Sequence, residues 1–380
     1  MPLKLKPLDQ QVIVITGASS GIGLATARKA AKAGASVVLS SRNEDALRTI
    51  CEEIAAAGGR AHVVAADVGD PAEVEKIARA AIARFGRFDT WINDAGVGLY
   101  GELEKVELAD HERLFRTNYF GVVNGSVEAV KHFKARGGPG ALINVGSVLG
   151  DAASPLLGAY VASKHAVKGY TDTLRMELSR DKAEISVTLI KPSSVGTPFA
   201  DHAKSLLAKR PTVPPPVYAP EVVADAILYA AAHPIRHITV GSGARPIVLA
   251  SAAAPSLADR LFARAIPTLA TRSGATPPQD NLYKAGDDGR TAGEGMHGRR
   301  FSVYTQAQKH PGVTLGLGAL AVAGLAAFLG RGVISRSARP ALAQALRPLV
   351  VHAAMRRPLK AAGLAARHPR QAARLAAALR

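Results

Sequence analysis

Tyr160 and Lys164, in the run Tyr160-Val161-Ala162-Ser163-Lys164, are the first pair in this sequence able to do acid–base chemistry. Positions i and i+4 share a helix face, which brings the ammonium beside the phenol. A free phenol has a pKa of about 10, too high for a base near neutrality, and a nearby cation lowers it by stabilising phenolate. Thirteen residues earlier, Ser147 follows the apolar run 141–145. A hydroxyl at the carboxyl end of a strand can donate a hydrogen bond to a substrate carbonyl, although turn and N-cap serines occupy such places too. A third motif, Thr16-Gly17-Ala18-Ser19-Ser20-Gly21-Ile22-Gly23, sits between an apolar run and a helix-like stretch. Its glycines let the backbone turn tightly against a pyrophosphate, whose charge the N–H groups and dipole of a helix start stabilise. The spacing is Gly-x-x-x-Gly-x-Gly, not the commoner Gly-x-Gly-x-x-Gly, and a Gly-rich turn with no ligand reads the same.

Cofactor choice is argued from the end of the second candidate strand, Leu39-Ser40-Ser41-Arg42-Asn43. An NAD site usually places an acid here for the ribose 2′-hydroxyl. None is present, and the planar fork of Arg42 can pair with a 2′-phosphate. Ser41 and Arg42 therefore point to NADP(H), against the alternative of a solvent-exposed Arg beginning a helix.

These groups need a scaffold. Nearly continuous apolar runs at 12–16, 36–40, 61–65, 90–93, 140–145, 185–191 and 237–240 predict strands buried on both faces. Between them, 23–33, 44–57, 71–85, 110–134, 160–179 and 220–232 predict helices. Such alternation implies an α/β fold, a doubly wound parallel sheet of about seven strands.

Taken together, the motifs resemble the short-chain dehydrogenase/reductase family over about residues 10 to 245. Gly17, Gly21 and Gly23 match its glycine motif, and Asn93-Asp94-Ala95-Gly96 matches its Asn-Asn-Ala-Gly with Asp in second place. Its catalytic Asn, Ser, Tyr and Lys match Asn118, Ser147, Tyr160 and Lys164. The resemblance implies that Tyr160 protonates a carbonyl oxygen, Ser147 steadies the substrate, Lys164 binds the nicotinamide ribose, and Asn118 holds a proton-relaying water. It further implies cofactor contacts from Gly17, Ser19, Ser20, Gly21, Ile22, Gly23, Ser41, Arg42, Asp67, Val68, Asn93, Ala95, Gly96, Tyr160, Lys164, Pro192 and Thr197. The family's Pro-Gly reads Pro192-Ser193 here. The resemblance implies an oxidoreductase moving a hydride between NADP(H) and a carbonyl/alcohol substrate, and a homo-oligomer. A non-catalytic NADPH-binding or interaction protein is the alternative. Pro198 to Tyr218 falls where the family keeps its substrate lid, and Leu206, Leu207 and Val213 suggest an apolar pocket.

Composition bounds the rest. Cys51 is the only cysteine, so no internal disulfide forms. No signal pattern fits the N-terminus, and a cytoplasmic location is expected. No His or carboxylate spacing suits a metal. Residues 1–250 form the expected catalytic domain, 251–312 a helical segment and linker, and 313–380 an apolar segment with a basic helical tail. Residues 331–380 hold ten Arg, one Lys and no acid, which supplies +11 of the net +18. The uncharged stretch 311–330 ahead of these arginines suits a membrane surface, with helix packing on a partner as the alternative. Nucleic acid ranks last, because the tail lacks aromatic residues for stacking.

Overall fold

Val12–Thr16 (β1) and Gly140–Val145 (β5) are buried at every position, as strands covered on both faces must be. With Ser36–Ser41 (β2), Arg60–Ala65 (β3), Thr90–Asn93 (β4), Ile185–Pro192 (β6) and His237–Val240 (β7), they build one seven-stranded sheet. All neighbours are parallel, and the order is β7-β6-β5-β4-β1-β2-β3. This computed structural model describes residues 3–309, except 244, 277–279 and 287, together with Thr314.

Strand order reverses between β1 and β4, where Thr16 is paired with Ser40 on one side and Asn93 on the other. Open α/β sheets bind ligands in the crevice beyond the carboxyl ends of their strands at such a switch point. Helices Gly21–Lys32 (α1), Glu44–Ala56 (α2) and Pro220–Ala232 (α8) cover one face through Leu24, Leu47, Ile50 and Ile227. Helices Pro71–Phe85 (α3), Gly121–Arg136 (α5) and Gly158–Arg180 (α6) cover the other through Ile77, Phe133 and Leu178. Local chemistry sets the helix ends. Asn43 Oδ1 accepts the Ala46 N–H at 3.0 Å to cap α2, and α3 runs from an Asp70 cap to Gly86 at φ 78°.

The helix expected over 110–134 is broken into Leu108–Phe115 (α4), a π turn at Arg116–Phe120, and α5. The wider turn aims Thr117 and Asn118 inward, and both are buried. A short helix, Phe199–His202 (α7), lies in the expected lid region.

The chain divides into two units, Met1–Lys309 and His310–Arg380. Residues 251–309 thus stay within the first unit. Arg245–Ala253 (α9) and Pro255–Leu269 (α10) are helical, as the sequence suggests. Residues 280–309, read from composition as linker, fold back over the sheet and end in Val303–Lys309 (α11). There the Gln308 amide brackets β7: its Oε1 accepts the Thr239 N–H at 2.9 Å and its Nε2 donates to the Thr239 carbonyl at 2.8 Å. The apolar segment 313–329 and its basic tail lie outside the described residues, apart from Thr314. Among the described residues no helix is long and apolar enough to cross a membrane, and no cluster of candidate metal ligands occurs.

Candidate active site

A single cleft of about 310 Å³ runs along the carboxyl ends of the strands, from Asp67 and Val68 past the glycine loop to Ser147 and Tyr160. The glycine motif links β1 to α1. Gly17 has φ +73°, and a Cβ there would lie 2.8 Å from the Ala95 backbone. At Gly23 a Cβ would lie 2.1 Å from the Gly17 carbonyl oxygen. Only glycine permits so tight a loop, which leaves the start of α1 facing the cleft.

Ser147 follows β5 and caps the turn that comes after it. Its Oγ accepts the Leu149 N–H at 3.1 Å, and the residue lines the cleft together with Tyr160. Tyr160 is in the first turn of α6, its ring meeting Phe199 edge-on at 5.2 Å. Lys164, one turn on, has its Nζ 5.6 Å from the centre of the Tyr160 ring and donates to the Val145 carbonyl at 2.9 Å.

Electrostatics here differ from the simple Tyr–Lys expectation. Burial pushes the Tyr160 phenol up to about 12, with the Ser147 hydrogen bond opposing and the Asp94 charge adding to the rise. Burial also pulls Lys164 down to about 8, opposed by Asp94. Asp94 is itself pushed up to about 8 by burial, against the pull of Lys164 and a hydrogen bond from the Gly23 N–H. Desolvation outweighs the attraction between Asp94 and Lys164. The phenol therefore holds its proton at neutral pH.

Most of the anticipated residues meet in this cleft: Gly17, Ser19, Ser20, Gly21, Ile22, Ser41, Arg42, Asp67, Val68, Ala95, Gly96, Pro192 and Thr197 line it beside Ser147, Tyr160 and Lys164. Gly23, Asn93 and Asn118 do not. Gly23 supports the loop from behind. The Asn93 side chain sits in the core, accepting from Trp91 Nε1 at 2.8 Å and donating to Asn144 Oδ1 at 2.9 Å. Asn118 holds the Val97 backbone, accepting its N–H at 2.8 Å and donating to its carbonyl at 3.0 Å. Its side chain thus fixes the turn after β4.

Sequence reasoning missed two groups of lining residues. Ile247, Val248 and Ile266 come from α9 and α10, and Ala270 from the end cap of α10; they make this end of the cleft more apolar, next to Val213 of the expected lid. Asn281, Ala285, Gly286 and Asp288 come from the segment read as linker. The amphipathic pattern of α10 was a usable signal for the first group. The second carries none, because backbone atoms hold it.

Does a nicotinamide dinucleotide suit these residues? The glycine cradle and the Tyr–Lys pair share one cleft of the right polarity. Two lining residues, His202 and Asn281, each have a buried polar atom (Nε2 and Oδ1) with no partner. A ligand rich in hydroxyl and amide groups would satisfy both. The residues fit.

Fold and site together define an oxidoreductase of the doubly wound type. A short-chain dehydrogenase model matches residues 11–206, just over half the chain, and the chain belongs to that family. It is 46% identical over 333 residues to the uncharacterized oxidoreductase YxnA of Bacillus subtilis, covering 86% of this chain and 92% of that one. A match of that extent takes in residues 281–290. It is 34% identical over 238 residues to 3beta-hydroxysteroid dehydrogenase 1 of Eggerthella lenta, covering 61% of this chain and 90% of the relative. A short-chain dehydrogenase/reductase of Burkholderia phymatum, solved in complex with NAD, superposes with a TM-score of 0.61 at 29% identity, covering 67% of this chain and 96% of that one.

Proposed function

We propose that this oxidoreductase prefers NADP(H) and interconverts an alcohol and a carbonyl on a substrate with an apolar body. The observation that carries the reading is Tyr160 beside Ser147 and Lys164, whose Nζ lies 5.6 Å from the Tyr160 ring centre, in a cleft that also holds the glycine loop. The dinucleotide, when bound, supplies or accepts the hydride. The chain supplies the rest. Tyr160 donates its proton to the carbonyl oxygen during reduction, while Ser147 donates a hydrogen bond to the same oxygen and so fixes its position. Lys164 orients the nicotinamide ribose, and its charge favours phenolate once the proton has left. Asn118 acts as a positioning residue through the Val97 backbone.

Preference for NADP(H) rests on Arg42 at the end of β2 and on the absence of an acid there. Val148, Leu149, Leu157, Phe199 and Ile247 around Tyr160 favour an apolar substrate body. The test is NADPH oxidation against a panel of ketones, aldehydes and bulky apolar carbonyls, with NADH in parallel and Tyr160→Phe as control. Turnover that prefers NADPH and vanishes in the variant supports the reading. Equal turnover in the variant removes Tyr160 from the chemistry.

A further inference from the structure

Arg42 has partners that cofactor binding does not explain. Its guanidinium donates to the backbone carbonyl of Asn281, to that of Leu282 at 3.3 Å, and to that of Lys284 at 3.1 Å. Neighbouring groups tie down the same stretch. Arg113 donates to the Leu282 carbonyl at 3.0 Å while pairing with Asp67 at 2.6 Å, and Asn43 Nδ2 donates to the Gly286 carbonyl at 3.2 Å. Further along, the Gly289 N–H donates to the Ser19 carbonyl at 2.8 Å, and the Gly21 N–H to the Arg290 carbonyl at 2.9 Å. The Leu282 side chain is wholly buried against Val97, Leu99 and Leu114. Residues 281–290, with 287 outside the described residues, thus form a strap from the adenosine end of the cleft to the glycine loop.

Backbone carbonyls and phosphate oxygens compete for the same guanidinium N–H groups. A 2′-phosphate that pairs with both terminal nitrogens of the Arg42 fork competes with the carbonyls already held there. The strap also brings Asp280 and Asp288 close enough for their charges to act on Arg42, and the same charges repel a phosphate. A ribose 2′-hydroxyl makes no such demand. We infer that the strap is a determinant of cofactor specificity: closed on Arg42, it lowers the chain's preference for NADP(H) over NAD(H). The inference rests on the dinucleotide reading of the cleft.

The test is calorimetric titration of the full chain with NADPH and NADH, without substrate. Leu282→Ala unseats the strap, and Tyr283→Phe loosens it by removing the 2.9 Å bond from Tyr283 Oη to Asp110. The NADPH-to-NADH affinity ratio should rise about tenfold in Leu282→Ala and about twofold in Tyr283→Phe, the scale of a charge-assisted hydrogen bond regained and of a weaker bond lost. In the unaltered chain, amide exchange across 281–290 should quicken on adding NADPH and slow on adding NADH. Should Leu282→Ala fail to fold, Tyr283→Phe and the exchange data decide. Equal changes for both dinucleotides, or an unchanged ratio in folded variants, would make the strap a mere roof and overturn the inference. Binding of neither dinucleotide overturns the reading of the cleft, and the inference with it.

Discussion

The two ends of the cleft are held by different means. At the Tyr160 end, Ser147, Tyr160, Lys164 and Asp94 are positioned by β4, β5 and α6, and burial shifts the charge states of Tyr160, Lys164 and Asp94. At the other end, Arg42 and Arg113 grip the backbone of a segment that returns 240 and 169 residues later in the chain. One end is fixed by packed side chains. The other is closed by hydrogen bonds to main chain and by one buried side chain, Leu282, so that opening it unseats a small cluster and leaves the sheet's own core in place. Reaction geometry is therefore built into the sheet, while access is left adjustable.

The largest expected break in this contrast is Tyr160→Phe. Turnover should fall by about 10² to 10⁴, the usual worth of a positioned acid or base, with dinucleotide affinity by titration nearly unchanged. A parallel loss of affinity would tie Tyr160 to binding as well. Gly23→Ala strikes the seam between the two ends, because its Cβ would collide with the Gly17 carbonyl oxygen at 2.1 Å. Denaturant unfolding should show a loss of roughly 3 kcal/mol, since neither backbone can yield cheaply. Arg42→Ala should weaken NADPH about tenfold relative to NADH and raise amide exchange in 281–290, with turnover per bound cofactor preserved.

Asp94→Asn gives the smallest effect and the most specific one. The Asp94 charge raises the pKa of both Tyr160 and Lys164, so its removal lowers both. In the oxidation direction, which needs phenolate, the pH–rate profile should move to lower pH. An unmoved profile would show that Asp94 carries no charge in the working enzyme.

Much of the scaffold was legible because burial writes itself into composition. Val12–Thr16 and Gly140–Val145 are apolar because both faces are covered, and Thr16-Gly17 through Gly23 names its own turn. Ser147, Tyr160 and Lys164 converge as their spacing implies. Asn93 and Asn118 sit at motif positions, yet they bond to core side chains and to backbone rather than lining the cleft. The π turn leaves no trace in hydrophobic periodicity. Residues 281–290 were illegible for a deeper reason: carbonyl oxygens hold the strap to Arg42, every residue type has one, and few side chains, Leu282 and Tyr283 among them, mark the docking.

The bracket that Gln308 places on Thr239 has a consequence for assembly. β7 ends the sheet, and an unpaired terminal strand is a template on which another chain can polymerise. Here one amide side chain imitates a neighbouring strand at mid-length, giving and taking one hydrogen bond at the same residue. A second copy could not extend the sheet across β7 unless α11 first lifted away. Subunits that associate at this edge while α11 is seated must therefore meet through helices or loops, not through a shared ladder.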